Sequence, residues 1–522
     1  YGTGCMSLTV SLTGELAAQC SPLISRLDNA GFASALASGD ATLWGPEAVP
    51  EASIRLGWVQ PLSRWEPLAR EVVALREELA SQGITRVVLC GMGGSSLGPE
   101  VMAAHAGVEI DIVDSTHPDS LVPLLVDTLA HTTIVVSSKS GGTLETDSAR
   151  RAFEAALATQ GLEPRDHLVV VTDPDSPLHH QAIEAGYRVF LGDPTIGGRF
   201  SALSPFGLVP AGLAGVDILA FLESGEAARL ECLSEGSGNP ALILGCAIAV
   251  DNPVVDKLLL STWESAPGLG DWIEQLVAES TGKGGLGILP VVGRGLSDIP
   301  DGLTIGDAGS GASVEVSADL AGAMMLWECA TAVACHLLGV NPFDQPNVES
   351  AKVAARGLLE APDPTPREEM LAQGMSVWSN QPGLAEVATA TDAASFVTDA
   401  LGEKSYLALC IFGPQSPKSP WWGVRDALEA ATGRPVTLGF GPRFLHSTGQ
   451  LHKGGPAEGV FLQVIEKPEH TLAIPGRDFD FGQLLLAQAH GDADVLAQSS
   501  QPVVSITVDA SAKERLVRAL KS

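Results

Sequence analysis

Short apolar runs alternate with amphipathic stretches from residue 61 to about residue 232. Strand patterns occur at Arg86–Cys90, Glu109–Val113, Thr133–Val136, His167–Val171 and Arg188–Leu191. Helical patterns occur at Trp65–Leu79, Leu121–Leu129 and Leu144–Leu157. Strands and helices that alternate at these lengths predict a parallel sheet covered on both faces, with ligands at the carboxyl ends of its strands.

Two further α/β blocks follow. The second has strand patterns at Lys257–Leu260 and Gly287–Val291 and a long apolar helix over Ser317–Leu338, which we expect Ser317 to cap. The third has strand patterns at Leu407–Ile411, Val436–Gly439, Val460–Ile465 and Val503–Val508. Three prolines within residues 361–366 indicate a boundary, because proline cannot continue a helix. We therefore predict an N-terminal arm (1–60), two doubly wound parallel-sheet domains (61–232 and 233–360) and a C-terminal α/β domain (367–522).

Composition narrows the possible partners. The 62 acidic and 31 basic side chains give a net charge of −31, which argues against a nucleic acid or an anionic membrane surface. The eight cysteines show neither metal-site spacing nor a disulfide pattern, and the first residues lack a signal-peptide pattern, so we expect a cytoplasmic protein. The apolar run Leu320–Val340 contains Glu328 and His336, which favours a buried helix over a membrane span.

Candidate chemistry is concentrated in Val135–Thr146, where an apolar strand end leads into hydroxyls, a lysine and two glycines before a helix. The first amides of a helix have no intrahelical partner and carry the positive end of its dipole, so a phosphate is stabilised there. Ser138, Ser140 and Thr143 add side-chain donors, and Gly141 and Gly142 allow a close backbone approach. An ordinary capped strand-to-helix turn is the alternative.

A second loop, Gly91–Gly98, begins like a dinucleotide-binding fingerprint but has Ser96 where the third glycine would stand. Hydroxyls at Ser95 and Ser96 favour a sugar or a monophosphate over a dinucleotide. Gly282-Lys283 does not form a nucleotide-binding phosphate loop, because the upstream glycine and the following hydroxyl are missing.

Five motifs together resemble the glucose-6-phosphate isomerases, and most closely the isomerase half of bacterial transaldolase–isomerase fusions. In order along the chain they cover residues 91–99, 138–146, 197–201, 279–283 and 343–352. The resemblance implies two sugar-isomerase domains of doubly wound α/β fold, and a third α/β domain completes the predicted chain. It also implies a small sugar phosphate as the ligand, with neither a metal nor a cofactor.

The resemblance also assigns roles to individual residues. It makes Glu279 the base that moves a proton between C1 and C2, and Arg199 the group that stabilises the enediolate. It places Lys352 at the sugar ring oxygen during ring opening and Gln345 in contact with the ligand. The residues expected around the phosphate and the sugar are Gly94, Ser95, Ser138, Lys139, Ser140 and Thr143.

The family also uses a histidine to open the sugar ring, and it normally lies between the Glu279 and Phe343 motifs. Only His336 lies in that interval, inside an apolar helix. A segment similar to the family's histidine segment occurs later, with candidates His446 and His452, and neither is the remaining possibility. In the family a partner subunit lends this histidine. Here we expect the third block to supply it within one chain, as a monomer or in a homodimer.

The sequence thus predicts an aldose–ketose isomerase that interconverts glucose 6-phosphate and fructose 6-phosphate. An isomerase that also accepts mannose 6-phosphate is an alternative, because tolerance at C2 depends on the shape of the pocket. A non-catalytic sugar-phosphate regulator is another. Such a regulator could keep both serine loops but would have no use for Glu279 and Arg199.

Overall fold

The computed structural model describes residues 8–126, 128–250, 254–261, 263, 266–293, 299–360, 370–372, 374–381 and 389–522. The strands within these residues are β1 Thr9–Leu12, β2 Arg86–Gly91, β3 Asp111–Val113, β4 Thr132–Ser137, β5 Leu168–Thr172, β6 Arg188–Leu191, β7 Lys257–Leu260, β8 Leu289–Val292, β9 Gly302–Asp307, β10 Val314–Ser317, β11 Met370–Ala372, β12 Met375–Ser379, β13 Tyr406–Phe412, β14 Val436–Phe440, β15 Gly459–Glu466 and β16 Val503–Val508. The α-helices are α1 Gly14–Asn29, α2 Phe32–Ala37, α3 Val49–Ala52, α4 Glu66–Ser81, α5 Leu97–Ala106, α6 Pro118–Leu121, α7 Leu144–Thr159, α8 Pro164–His167, α9 Pro177–Ala185, α10 Pro205–Ala214, α11 Ile218–Cys232, α12 Pro240–Ala249, α13 Leu269–Thr281, α14 Leu320–Leu338, α15 Val348–Glu360, α16 Ala390–Asp399, α17 Trp421–Thr432, α18 Gly449–Gly454, α19 Phe481–Gln498 and α20 Ala510–Leu520.

The first sheet has the order β3-β2-β4-β5-β6, and all its pairs are parallel. Along β2, Val87 and Leu89 belong to one apolar core, and Val88 and Cys90 to another. Because successive strand residues face opposite sides, helices cover both faces of this sheet. The doubly wound arrangement predicted for this block is confirmed.

The helix predicted over 121–129 is wrong. The described part of this segment contains α6, which ends at Leu121, and then only short 3₁₀ turns at Val122–Leu124 and Leu129–His131. Pro123 lacks the backbone N–H that a continuing helix would need, which explains the early end.

The second sheet has the order β1-β10-β9-β7-β8. Its pairs are parallel except for β1, which runs antiparallel to β10, so the N-terminal arm supplies an edge strand of this sheet. The sequence pattern missed β1, β9 and β10. In β7, Leu258 and Leu260 face the core shared with the first sheet, and Leu259 faces a core shared with the third block.

The third sheet has the order β11-β12-β16-β15-β13-β14, parallel from β16 to β14 and antiparallel at β12 and β11. Helix α19 contributes Leu484 to the core beside the first sheet and Leu485 to the core beside the third. It therefore joins the two blocks. The boundary predicted at 361–366 lies outside the described residues.

The apolar helix α14 is long and apolar enough to cross a membrane, but 89% of its most apolar window is buried inside the protein. The interpretation as a core helix agrees with this burial. Ser317 does not cap it, because that residue ends β10. The cap is Asp319, whose carboxylate accepts a hydrogen bond from the Gly322 amide at 2.8 Å.

Candidate active site

A cleft of about 560 Å³ opens at the carboxyl ends of β2 and β4, facing the C-terminal half of α13. Residues from all three sheet blocks and from the N-terminal arm line it. Among the residues predicted from sequence, those lining the cleft are Gly94, Ser95, Lys139, Ser140, Thr143, Arg199, Glu279, Gln345, Lys352 and His446. Ser138 is not one of the lining residues.

The loop between β4 and α7 has the form expected of an anion cradle. Ser138 is buried, and its hydroxyl donates to the Thr143 hydroxyl at 3.1 Å, so it fixes the loop from behind. Gly141 has a φ of +66°, and a Cβ there would lie 2.8 Å from the Leu178 nitrogen. Thr143 is the N-cap residue of α7, so the amides that follow it present the positive end of that helix.

Lys139 lies in the cleft wall in an ion pair. Its ammonium donates to Asp173 Oδ2 at 2.5 Å and to the Asp193 carbonyl at 3.0 Å. Burial lowers the pKa of Lys139, although the Asp173 carboxylate counteracts this, and burial raises the pKa of Asp173. The sequence predicted that the positive charge of Lys139 would meet a phosphate, but the Asp173 carboxylate largely balances this charge within the protein.

Glu279 and Arg199 form a buried ion pair in the cleft wall, with 3.3 Å between Arg199 Nη1 and Glu279 Oε1. Their side chains are 11% and 3% exposed, respectively, so both charges are nearly withdrawn from water. Gly94 allows the two loops around them to meet, because a Cβ at this position would lie 2.0 Å from the Gly198 carbonyl oxygen. A carboxylate beside a guanidinium, both largely shielded from water, is suited to removing a proton and stabilising the negative charge that results.

Arg199 also organises the loop before α15. Its guanidinium donates to Gln345 Oε1 at 2.9 Å, to the Asp344 carbonyl at 3.0 Å and to the Pro342 carbonyl. Lys283 supports this loop from below through the carbonyls of Ser280 and Asn341. Burial, with the nearby Arg199 charge, lowers the pKa of Lys283 to about 8. The predicted contact residue Gln345 is thus held in place by the predicted enediolate-stabilising arginine.

His446 reaches the cleft from the third block within the same chain. Its Nε2 lies 3.0 Å from Glu145 Oε1, and Gln488 donates to the same oxygen at 2.7 Å. Burial alone would raise the pKa of Glu145, but the charge and hydrogen bond of His446, a backbone hydrogen bond and the charge of Lys352 together outweigh it and lower that pKa. A carboxylate that holds one ring nitrogen fixes the orientation of the imidazole.

The other histidines lie elsewhere. His452 is buried among the rings of Tyr406, Phe444 and Phe461, and neither ring nitrogen has a hydrogen-bond partner among the described residues. Burial lowers its pKa to about 3, so it stays neutral in the core. His336, on α14, contacts the Leu43 carbonyl at 2.5 Å and is not among the residues that line the cleft. Of the three candidates, only His446 lines the cleft.

Sequence reasoning missed several residues of the cleft region, including Asp173, which pairs with Lys139. Glu145 lay inside the phosphate motif but reads from sequence as an ordinary acidic residue in a first helical turn. Gln275 precedes Glu279 by one helical turn, and that spacing was the available signal. Glu51 and Arg55 come from the N-terminal arm and line the cleft, and nothing in their sequence context indicated it.

Within the described residues, no group of three or more His, Cys, Asp and Glu side chains could hold a metal ion.

Arg443 attaches the histidine segment to the first sheet. It begins the 3₁₀ turn Arg443–His446, in which residues three apart point the same way. Its guanidinium pairs with Asp114 at 2.9 Å, directly after β3, and with Glu100 on α5. Because His446 binds Glu145 after β4, the turn is fixed on both sides of β2.

We expect Arg443→Met to lower kcat about 10- to 100-fold with little change in KM, because His446 would lose its second anchor. The variant also leaves Asp114 buried without its partner, at a cost of about 3–5 kcal/mol in the free energy of unfolding. The double variant Arg443→Met/Asp114→Asn removes that charge and serves if the single variant does not fold. The measurements are steady-state kinetics and thermal unfolding.

Arg434 provides the matched control, since it joins the third block to Asp301 at 3.0 Å, outside the cleft-lining residues. Arg434→Met should lower the melting temperature while kcat stays near the wild-type value. Equal losses of kcat in the two variants would contradict a positioning role for Arg443.

Part of the chain is similar to known proteins. Residues 73–237 match the family model described as phosphoglucose isomerase. A glucose-6-phosphate isomerase from Synechococcus sp. (strain JA-2-3B'a(2-13)) is 33% identical over 270 residues, covering 47% of this chain and 49% of that protein. One from Thermus thermophilus is 35% identical over 239 residues, covering 45% of this chain and 57% of that protein. The chain thus spans about half the length of the curated relatives it matches.

Among solved structures, a glucose-6-phosphate isomerase from Chlamydia trachomatis matches with a TM-score of 0.49, 23% identity, and coverage of 56% of this chain and 74% of that one. A hypothetical protein from Thermus thermophilus matches with a TM-score of 0.45 and 20% identity, covering 99% of this chain and 92% of that one.

The structure thus has a mixed α/β fold with a serine- and glycine-rich loop at the carboxyl edge of a parallel sheet. The resemblance to the glucose-6-phosphate isomerases predicted from the motifs is confirmed.

Proposed function

We propose that this chain is an aldose–ketose isomerase that interconverts glucose 6-phosphate and fructose 6-phosphate. One observation carries the proposal. The buried Glu279–Arg199 pair lines the same cleft as Ser140 and Thr143 of the loop between β4 and α7, which has the form of an anion-binding loop. A sugar phosphate anchored at that loop would present its carbons to the carboxylate. A protein that only senses sugar phosphates has no need of a buried base and guanidinium at that place.

The proposed reaction uses only side chains of this chain. His446, oriented by Glu145, moves a proton to the ring oxygen as the pyranose opens, and Lys352 contacts that oxygen. Glu279 then takes the proton from C2 of the open-chain aldose, and Arg199 stabilises the negative oxygen of the resulting enediolate. The proton of the O2 hydroxyl then passes to O1, and Glu279 returns the proton it took from C2 to C1, which gives the ketose. Atoms and electrons balance without an added reactant.

A coupled assay of the purified chain with glucose 6-phosphate and fructose 6-phosphate tests the proposal. We expect turnover in both directions. Mannose 6-phosphate in the same assay distinguishes a dual isomerase, which would turn over both aldoses. Saturable binding of fructose 6-phosphate without turnover of any of the three sugars would contradict the proposed activity and indicate a regulator.

We also propose that the active site is complete within one chain, because His446 and Glu145 meet intramolecularly. Mixing the inactive variants Glu279→Gln and His446→Ala tests this. If chains exchanged the histidine, a mixed dimer would regain one intact site. We expect no recovery of activity after the two variants are denatured and refolded together. If the mixture regained about a quarter of the wild-type turnover, this would contradict a site completed within one chain.

We infer a cytoplasmic location. The described cysteines are all free and buried, which supports a reducing compartment. Detection of the tagged chain in a fractionated cell lysate is the direct measurement.

A further inference from the structure

We propose that Gln488 is a positioning residue that holds Glu145 against His446 and thereby ties ring opening to helix α19 of the third block. This inference rests on the proposed isomerase function. Gln488 lies on α19, and its side chain is buried, with 5% of the residue exposed. No motif identified from sequence included it.

Gln488 lines a side pocket of about 330 Å³ next to the cleft. The side pocket and the cleft share five lining residues, which are Ser140, Thr143, Val348, Lys352 and His446. Glu145 lines the side pocket together with Gln488. The contact between the Glu145 carboxylate and the His446 ring is therefore beside the space that is open to a substrate.

Both ends of the Gln488 amide have a partner. Its nitrogen donates to Glu145 Oε1 at 2.7 Å, and its oxygen accepts a hydrogen bond from the Thr116 hydroxyl at 2.8 Å. Thr116 follows β3 in the first sheet and is fully buried. An ionised carboxylate can only accept, so the NH₂ end of the amide is assigned to Glu145 and the oxygen to Thr116. The orientation of the amide is therefore determined at both ends.

The oxygen that Gln488 holds is the one that meets the imidazole. His446 Nε2 lies 3.0 Å from the same Glu145 Oε1. Lys352 lines the side pocket as well, and a carboxylate without a fixed donor would be attracted toward its ammonium group. The amide of Gln488 thus keeps Oε1 at the histidine, and the histidine keeps its orientation toward the cleft.

Helix α19 is fixed against its neighbours on both sides of Gln488. Leu484, one turn earlier, packs in the core beside the first sheet. Gly491 lies against α15, since a Cβ there would be 2.8 Å from the Ala355 nitrogen. Because α15 carries Lys352, one helix sets the positions of that lysine and of the donor to the carboxylate. A donor on such a packed element holds its acceptor more precisely than a donor on a loop.

The variant Gln488→Met keeps the length of the side chain and removes both amide ends. We expect kcat for glucose 6-phosphate to fall about tenfold with little change in KM, because the imidazole is misplaced while the loop between β4 and α7 and the base Glu279 are untouched. The acceleration of anomer interconversion should fall at least as much, since ring opening is the step that uses His446.

A double variant separates positioning from a general loss of structure. If Gln488 acts through the histidine, Gln488→Met/His446→Ala should have the same turnover as His446→Ala. A further tenfold loss in the double variant would overturn the proposal. Thr116→Val/Gln488→Met removes the buried hydroxyl together with its acceptor and serves if Gln488→Met does not fold. It should show the same loss of kcat as Gln488→Met.

Gln463 on β15 is the matched control. It is a buried glutamine with both amide ends partnered, to the Ala489 carbonyl of α19 at 2.9 Å and the Ser505 hydroxyl at 2.7 Å, and it lines neither the cleft nor the side pocket. Gln463→Met should lower the melting temperature as much as Gln488→Met but leave kcat and anomer interconversion near wild type. Equal losses of kcat in the two variants would show a purely structural role and overturn the proposal.

A second readout does not depend on activity. Since Glu145 can only accept, His446 Nε2 carries a proton, and a ring proton held by a carboxylate exchanges slowly with water and resonates far downfield in proton NMR spectra. We expect this resonance in the wild type, assigned by its absence in His446→Ala. It should be lost or broadened in Gln488→Met and kept in Gln463→Met.

If the wild type proves to have no isomerase activity, the proposed function fails, and the His446 resonance still decides the role of Gln488. An unchanged resonance in Gln488→Met, or no such resonance in the wild type, would overturn that role.

Discussion

Glu279→Gln should retain sugar-phosphate binding and lose nearly all turnover, with kcat reduced by roughly 10²–10⁴. The amide has the shape of the carboxyl group and can still face Arg199, but it cannot accept the C2 proton. Because ring opening does not involve this proton, the variant should still accelerate the interconversion of α and β anomers. Steady-state kinetics, exchange of solvent deuterium into C2 and an anomerisation assay together measure the effect.

Glu274 on the same helix provides the control. Burial raises its pKa to about 8, so it is mostly protonated at neutral pH, and an amide changes its charge little. Glu274→Gln should keep turnover close to wild type. Undiminished turnover or deuterium exchange in Glu279→Gln would refute the assignment of the base.

His446→Ala should lower turnover of the cyclic substrates by about 10²-fold and should abolish the acceleration of anomer interconversion, the opposite of Glu279→Gln. The reason is that His446 alone among the candidate histidines reaches the cleft, where Glu145 holds its Nε2 at 3.0 Å. Glu145→Gln should act in the same direction, because the ring loses the carboxylate that holds its Nε2. In the double variant His446→Ala/Glu145→Gln, the fold-loss of turnover should be smaller than the product of the fold-losses in the two single variants, because both residues act through one contact.

The exposed His180, which lies 3.9 Å from Asp175, is the matched histidine–carboxylate control, and His180→Ala should keep both activities. A His446→Ala variant that still accelerated anomer interconversion would assign ring opening to another group.

The regular part of the fold could be predicted because its signals are local. Buried strands such as Arg86–Gly91 and Tyr406–Phe412 are continuous apolar runs, and the parallel sheet follows from their alternation with helices. The strands that were missed have weak patterns. Strand β1, Thr9–Leu12, has only two apolar residues at alternate positions, which is a weak strand pattern. Its partner β10 lies some 300 residues away, so only the tertiary pairing makes it a strand.

The candidate site was predictable where motif and chemistry coincide, and unpredictable where a contact joins distant segments. Glu279 and Arg199 were found through motifs, and the structure adds their 3.3 Å approach. Lys139 was expected to meet the ligand directly, but Asp173 pairs with it, and the two are 34 positions apart. Arg55 reaches the cleft from an arm whose sequence showed no chemistry.

The sequence by itself predicted the parallel α/β class and the loop between β4 and α7, because each depends on residue types within one short stretch. The motif resemblance added Glu279 and Arg199 as the candidate base and its arginine. Only the tertiary structure decided between His446 and His452, which are six positions apart in one segment. The 3₁₀ turn directs one ring to Glu145 at the cleft, and the helix that follows buries the other among aromatic rings. Local composition cannot separate them, because the difference lies in which distant block each ring faces.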